Sequence, residues 1–597
     1  MALTGNIDST MNTVRPLAIA GCAVVLLGVC GVAGASATNH PAAGSRVPYT
    51  KLELVLARGH VRAVAPGTNL SAHAASTAPV TLSTPTVPAI GGANSKGLGF
   101  PQAIAQFAKR GELPAATAAA DESAWTTATD SQKHLSGTRK AELGAVRATL
   151  QTIARSGGLT PARLPALVLT LQANQQWWTA GPMIADDQRV GFPGSSLVWE
   201  FYPGQGLEIQ WLGTFGAANG FYDDHQSANL AALINQALSL AVTRAGGIAW
   251  EYDFSFDGGS PPWVSAITEG TAVEALTHAA TQLHDSVYLT DANSALGIFQ
   301  APPPLGIAVP TKVGDWYLIY SFAPHEYVIN AFVQSLIGLF DLAYQGDSLA
   351  QQLFTRGNVE ARLALPSYNT GYWSLYDQYG ESDLSYHELL TGFLQTICAQ
   401  TRETTPQALW VLGLPAPASG SSGASGSTGA SGTGGTPAAG SSGASGSSGA
   451  SGSSGASGST GTSGGTGTSG SSGSSGSTGS TGATGAVNPN AVYCTTASAF
   501  QADLKQPPQI TIKPLSTVRA HHTVAIRFTL SKISDVSLAV SAAGTTTNLS
   551  SQLLSHGTHT LNWRPSRAGS VTIELTAIDL AGNRGEQTAP VTVAPAG

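Results

Sequence analysis

Hydrophobic positions change their period along this chain. From Gly97 to about Gly413 apolar residues recur every three or four positions. The runs Phe100–Phe107, Ala141–Ile153, Arg163–Leu171, Ala228–Val242, Val264–Ala280, Tyr327–Leu342 and Leu349–Leu365 each predict a helix with one apolar face. Gly and Pro fill the joints, at Gly157-Gly158, Gly246-Gly247, Pro261-Pro262, Pro302-Pro303-Pro304 and Pro366. Short joints make successive helices antiparallel neighbours, so the expected fold of residues 97–413 is an α/α toroid, or helical barrel. A strand-like insert at Leu197–Trp211 alternates weakly through Trp199, Phe201, Leu207, Ile209 and Trp211.

Periodicity then stops. Ser419 to Gly485 is nearly all Gly, Ser, Thr and Ala, which predicts a disordered linker over 414–487. A tract of that composition is expected to act as a tether of roughly 45 Å average span. Past Pro507 the period becomes two: Ile510 and Ile512, Val524 to Phe528, Val536 to Val540, and Val571 to Leu575. Turn residues separate these runs, so residues 488–597 are expected to form an all-β immunoglobulin-like sandwich. Residues 38–96 are rich in Ala, Thr, Pro and Ser and are expected to be a poorly ordered lead-in. At the start, Arg15 precedes an apolar run ending in Ala35-Ser36-Ala37, which reads as a signal peptide over 1–37. An uncleaved membrane anchor is the alternative. Either reading makes the protein secreted or cell-surface.

The 597 residues carry a net charge of −7, and only 11% of them are charged. Nucleic acid would call for clustered Lys and Arg, so it is excluded as a partner. A heavily sulfated polymer would call for a basic trough, and a neutral or weakly acidic glycan suits the balance better. Of four cysteines, Cys22 and Cys30 fall in the signal. Cys398 and Cys494 remain, one on each side of the linker, either bridged or as separate thiols. No phosphate-binding glycine loop and no His/Cys/acid cluster at ligand spacing stands out, so no cofactor and no metal are expected.

Chemistry concentrates between Asp315 and His387. Asp315-Trp-Tyr-Leu-Ile-Tyr precedes a long apolar helix; Leu365-Pro-Ser-Tyr-Asn-Thr-Gly, Tyr376-Asp and Ser385-Tyr-His follow it. This order of motifs resembles the C-terminal domain of the D-glucuronyl C-5 epimerases, best over 246–399. Trp263-Val-Ser-Ala-Ile-Thr-Glu-Gly-Thr-Ala and Phe100-Pro-Gln-Ala-Ile-Ala-Gln-Phe echo two further family segments. The resemblance implies inversion of a uronic acid within a polysaccharide, by proton removal and return at carbon 5. That reaction needs a base on one face of the ring, an acid on the other, and donors for the charge that builds on the carboxylate.

The family's motif before the helix is Asp-Trp-Tyr-Glu-Glu-Tyr-Pro, with its second Glu and its last Tyr held to be catalytic. Tyr320 matches that Tyr, whereas Leu318 and Ile319 stand where the two Glu belong. Tyr376 and Asp377 match a later Tyr-Asp, and Tyr379 replaces the Arg that follows it. The expected catalytic residues are therefore Tyr320, Tyr376 and Tyr386, and the expected substrate contacts are His387, Arg189, Asn330 and Trp316. Each has a plainer reading. The tyrosines could be half-buried aromatics, His387 a structural helix residue, Arg189 a partner of its Asp neighbours, and Asn330 and Trp316 supports for helix and loop. Glu326, entering the apolar helix, is expected to cap it rather than to replace the missing carboxylate. Four functions stay open: an exported uronyl epimerase, a polysaccharide lyase sharing its first step, a non-catalytic glycan-binding surface protein, and a glycoside hydrolase. The hydrolase would draw on Asp253, Asp257, Glu269 or Asp377. The β-sandwich is expected to act as an adhesion or spacing module in contact with the cell envelope.

Overall fold

A computed structural model describes residues 53–57, 60–64, 95–415, 488–515 and 518–596. The signal-peptide reading and nearly all of the linker lie outside the described residues. Among those residues no helix is long and apolar enough to cross a membrane.

The lead-in contributes two strands, β1 (Glu53–Ala57) and β2 (His60–Val64). They are followed by α1 (Phe100–Lys109), α2 (Ala115–His134), α3 (Gly137–Ser156) and α4 (Leu164–Ala180). Helix α2 escaped the periodicity reading because its buried stripe is thin: Ala118, Asp121, Trp125 and Ala128 on an otherwise polar rod. Strands β3 (Arg189–Gly191), β4 (Trp199–Tyr202) and β5 (Gly206–Ile209) extend the first pair into a five-stranded sheet ordered β2-β1-β3-β4-β5. The alternation at Leu197–Trp211 therefore belongs to a sheet that begins some 140 residues earlier, with Leu54 opposite Val190.

Helices α5 (Trp211–Asp223) and α6 (Ser227–Ser239) lead to a short hairpin, β6 (Val242–Arg244) and β7 (Gly247–Ala249). Then come α7 (Ala266–Leu283), α8 (Val287–Ala295), the hairpin β8 (Ala308–Pro310) and β9 (Asp315–Tyr317), and α9 (Ile329–Tyr344). Helices α7 and α9 cross in the middle of the core at two glycines. A Cβ on Gly338 would lie 2.1 Å from the carbonyl oxygen of Gly270, so any side chain there would force the helices apart. Ser335 fastens the crossing by donating its hydroxyl to the carbonyl of Ala266. Helices α10 (Ser348–Ala364), α11 (Leu384–Arg402) and α12 (Pro406–Val411) complete this part of the chain.

After the Gly/Ser tract the chain returns to the same helical body. Helix α13 (Ala491–Asp503) buries Tyr493 and Phe500 in the core shared by the other helices. The Tyr493 hydroxyl donates to Asn358 of α10 at 2.7 Å. Cys398 of α11 and Cys494 of α13 are joined by a disulfide.

Only beyond α13 does the β-region begin, with β10 (Ile510–Ile512), β11 (Val518–Arg519), β12 (Val524–Leu530) and β13 (Ser534–Ala542). It continues with β14 (Thr545–Leu554), β15 (Gly557–Trp563), β16 (Gly569–Asp579) and β17 (Arg584–Ala594). One sheet runs β10-β12-β15 and the other β11-β17-β16-β13-β14. Phe528, Trp563, Leu538, Ile573 and Leu575 close one core between them. This region packs on the helical body as part of the same compact unit.

Candidate functional site

The segment after β9 carries Tyr320. It is stitched to the entry of α7: Ala266 N–H donates to Leu318, Ser321 N–H donates to Val264, and Val264 N–H donates to the Ser321 hydroxyl. Leu318 and Ile319 are buried by this stitching. Tyr320 is left partly open among aromatic rings, stacked on Phe322 at 5.2 Å and within 6 Å of Phe256 and Trp263.

Tyr376 sits on a turn shaped by Asp377, whose carboxylate accepts from the N–H groups of Tyr379 and Gly380. That turn is laced to the loop before α9. Gln378 accepts from Tyr327 N–H and donates to the His325 carbonyl, while Ile329 N–H donates to Tyr376. Tyr386 occupies the first turn of α11, whose N-cap, Asp383, accepts from the Tyr386 N–H at 2.8 Å. These three elements bring the phenols together. The Tyr376 and Tyr386 rings are 4.8 Å apart, and the Tyr320 and Tyr376 hydroxyls share a hydrogen bond. Tyr386 is 37% exposed, so the cluster opens to solvent on its side.

Burial pushes the Tyr320 and Tyr376 phenols well above the ordinary range, and the charges around them are negative. Both are therefore protonated at neutral pH and act as donors. A phenolate base would need a nearby cation. The group suited to accept a proton is Glu326, a half-buried carboxyl whose charge acts on both phenols. Burial, with Asp257 and Asp377 adding repulsion, pushes it up to about 7. Glu326 does not cap α9: that helix starts at Ile329 with Val328 as N-cap and no side-chain cap bond.

The other residues singled out from the sequence fall elsewhere. His387, one step along α11 from Tyr386, is fully buried. Its Nδ1 accepts from the Ser374 N–H, its Nε2–H donates to the Phe500 carbonyl, and its ring stacks on Trp373 at 3.8 Å. Trp316 is 3% exposed and packs between Phe332 and Tyr368, so it cannot stack on a sugar. Arg189 is ion-paired with Glu200 at 2.9 Å. The rings of Tyr202, which donates to the same carboxylate, and Phe256 lead from that pair to Tyr320. Asn330 is buried in the first turn of α9 beside the residue that bonds Tyr376. Of the carboxylates considered for hydrolysis, Glu269 is fully buried beneath the Trp250 N–H and Asp377 is engaged in its turn. Asp257 stands with the phenols.

The tip that carries Tyr376 is also held by the β-region. Glu381, its side chain 1% exposed, accepts from the N–H groups of Ile533 and His556 and meets His556 Nδ1 at 3.1 Å. Lys532, paired with Asp579 in the interior, lies over the Trp373 ring.

The cluster lies on the loops around α9 and α11 of the helical body. Residues 245–408 match the family model described as D-glucuronyl C5-epimerase C-terminus. A D-glucuronyl C5-epimerase of Caenorhabditis elegans is 33% identical over 131 residues, 20% of this chain and 21% of that protein. An uncharacterized protein of Methanocaldococcus jannaschii is 27% identical over 151 residues, 24% of this chain and 49% of its own length. The matches thus span about a fifth and about half of these relatives.

Proposed function

We propose that the protein is an exported enzyme that epimerises uronic acid residues in a polysaccharide at carbon 5. Glu326 takes the C-5 proton, the electron pair moves onto the adjacent carboxylate, and a phenol returns a proton to the opposite face. The remaining phenols among Tyr320, Tyr376 and Tyr386 donate hydrogen bonds to the charge that develops. The single observation that carries this reading is the convergence of three tyrosines, from three separate segments, beside one elevated carboxyl. The partly open rings of Tyr202, Phe256, Tyr320 and Phe322 form a row on which sugar rings could stack. Within this reading the helical body is an α/α toroid, the β-region is an immunoglobulin-like sandwich turned toward the cell envelope, and Asn330 supports the Tyr376 loop.

A second reading is favoured by one observation: Ile319, at the family's Glu position, is packed into the core. On that view the chain binds a glycan without turning it over. Incubation with a uronate polymer in heavy water separates the two. Deuterium at C-5 in intact chains supports epimerisation. Binding without label supports the second reading, and unsaturated chain ends would point to β-elimination instead.

A further inference from the structure

Away from the phenols, the crossing of α7 and α9 encloses another cluster. Glu274 and His278 are one turn apart on α7, and Asp341 faces them from α9. One ligand atom from each lies within 4.8 Å of the others. The histidine is oriented as a ligand would be: its Nδ1–H is given to the Asn219 side-chain oxygen at 3.0 Å, so its Nε2 lone pair faces Asp341 Oδ2 at 3.9 Å. Two acceptors this far apart make no hydrogen bond. They do have the spacing of two ligands on one ion, since bonds of about 2.1 Å put neighbouring donors roughly 3–4 Å apart. Tyr222 stacks on the imidazole at 3.9 Å and fixes its plane.

A second observation comes from two buried amides. Gln334 donates to Glu274 at 2.7 Å and Gln400 of α11 donates to Asp341 at 2.8 Å. Both are at most 5% exposed, and the side-chain oxygen of each has no partner among the described residues. A buried amide oxygen left without a partner has lost its hydration and gained nothing in return. A cation held by these carboxylates would add a positive charge beside both amides. The other charge acting on Asp341 is that of Glu403, also acidic.

We infer that Glu274, His278 and Asp341 form a binding site for a first-row divalent cation of the zinc type, completed by Gln334 or Gln400. One imidazole nitrogen with carboxylate and amide oxygens is a borderline donor set, which suits such an ion better than Ca²⁺. The site is a clamp: it ties α7 to α9, with α5 and α11 behind it. Asp341 lies twelve residues beyond Ile329, about 18 Å along the helix from the phenol loop at 1.5 Å per residue, so the ion would take no part in the chemistry there.

The test uses the full chain, stripped with chelator and dialysed against micromolar Zn²⁺ or Co²⁺. Roughly one ion per chain, a visible Co²⁺ band and a rise in thermal midpoint are expected. His278→Ala should weaken binding by about 100-fold or more, and Asn219→Leu, which removes only the orienting bond, by about 10- to 100-fold. Glu326→Gln should bind normally, which keeps this outcome distinct from the fate of the phenol site. Absence of both bound ion and Co²⁺ band in the unaltered protein would overturn the inference, as would full binding by His278→Ala. Where a variant does not fold, the Co²⁺ spectrum of the unaltered chain decides.

Discussion

His387 donates its Nε2–H to the carbonyl of Phe500 at 3.1 Å, across 113 residues of sequence. The helix that presents Tyr386 is thereby tied to a helix lying beyond the Gly/Ser tract. The ring is neutral, because burial pushes its pKa down to about 4 from an ordinary 6.5. A folded pKa below the unfolded one means that unfolding takes up a proton in acid. The contribution is complete above pH 6.5 and is lost as pH falls toward 4. It amounts to about 3 kcal/mol for a shift of this size. Urea midpoints at pH 7.5 and 4.5 should differ less in His387→Gln than in the unaltered chain. Equal pH dependence in both would remove His387 from the acid response.

Tyr386→Phe should abolish deuterium incorporation at C-5 and leave polymer binding within about tenfold, since the ring, the Asp383 cap and the first turn of α11 are untouched. Full exchange in this variant would take Tyr386 out of the proposed mechanism.

In the proposed mechanism Glu326 is a base only when ionised, so exchange should rise as pH increases through about 7. Glu326→Gln should lower the rate by roughly 10²–10⁴ and flatten that limb of the profile. A profile that keeps its limb in the variant would assign the titration to another group.

Glu381→Ala leaves the N–H groups of Ile533 and His556 without their shared acceptor and frees the tip that carries Tyr376. A loss of about 1–3 kcal/mol in stability is expected, together with slower exchange. Unchanged exchange at full stability would show that the β-region plays no part in setting the loop.

The disulfide closes a loop spanning 96 residues, which is worth about 4–5 kcal/mol in the chain-entropy account. The Cys398→Ser, Cys494→Ser double variant should lose about that much unfolding free energy, read as a lower urea midpoint at unchanged slope, and an unchanged midpoint would refute it.

Much of the helical body is legible from its pattern, because one apolar face per helix is a local property. Seven runs read from the sequence coincide with α1, α3, α4, α6, α7, α9 and α10. The three phenols are legible as a motif order. Glu326 is not, because its nearness to Tyr376 is created by Gln378 reaching back to the His325 and Tyr327 backbone, a pairing over some 50 residues. His387 is misread for the same reason: the acceptor that claims it follows the linker. The strands β1 and β2 do carry a signal, two apolar runs separated by Arg58-Gly59, outweighed there by the composition around them. Glu274 and His278 at a four-residue spacing were visible too, yet only Asp341, brought up by the glycine crossing, makes them a set.

Leu414 and Asn488 both belong to one compact body, so the chain before and after the Gly/Ser tract makes up a single folded unit. A protease that cuts inside the tract would sever the backbone without releasing a fragment. The nicked protein should run as one species until a reductant is added, and should keep whatever activity the intact chain has.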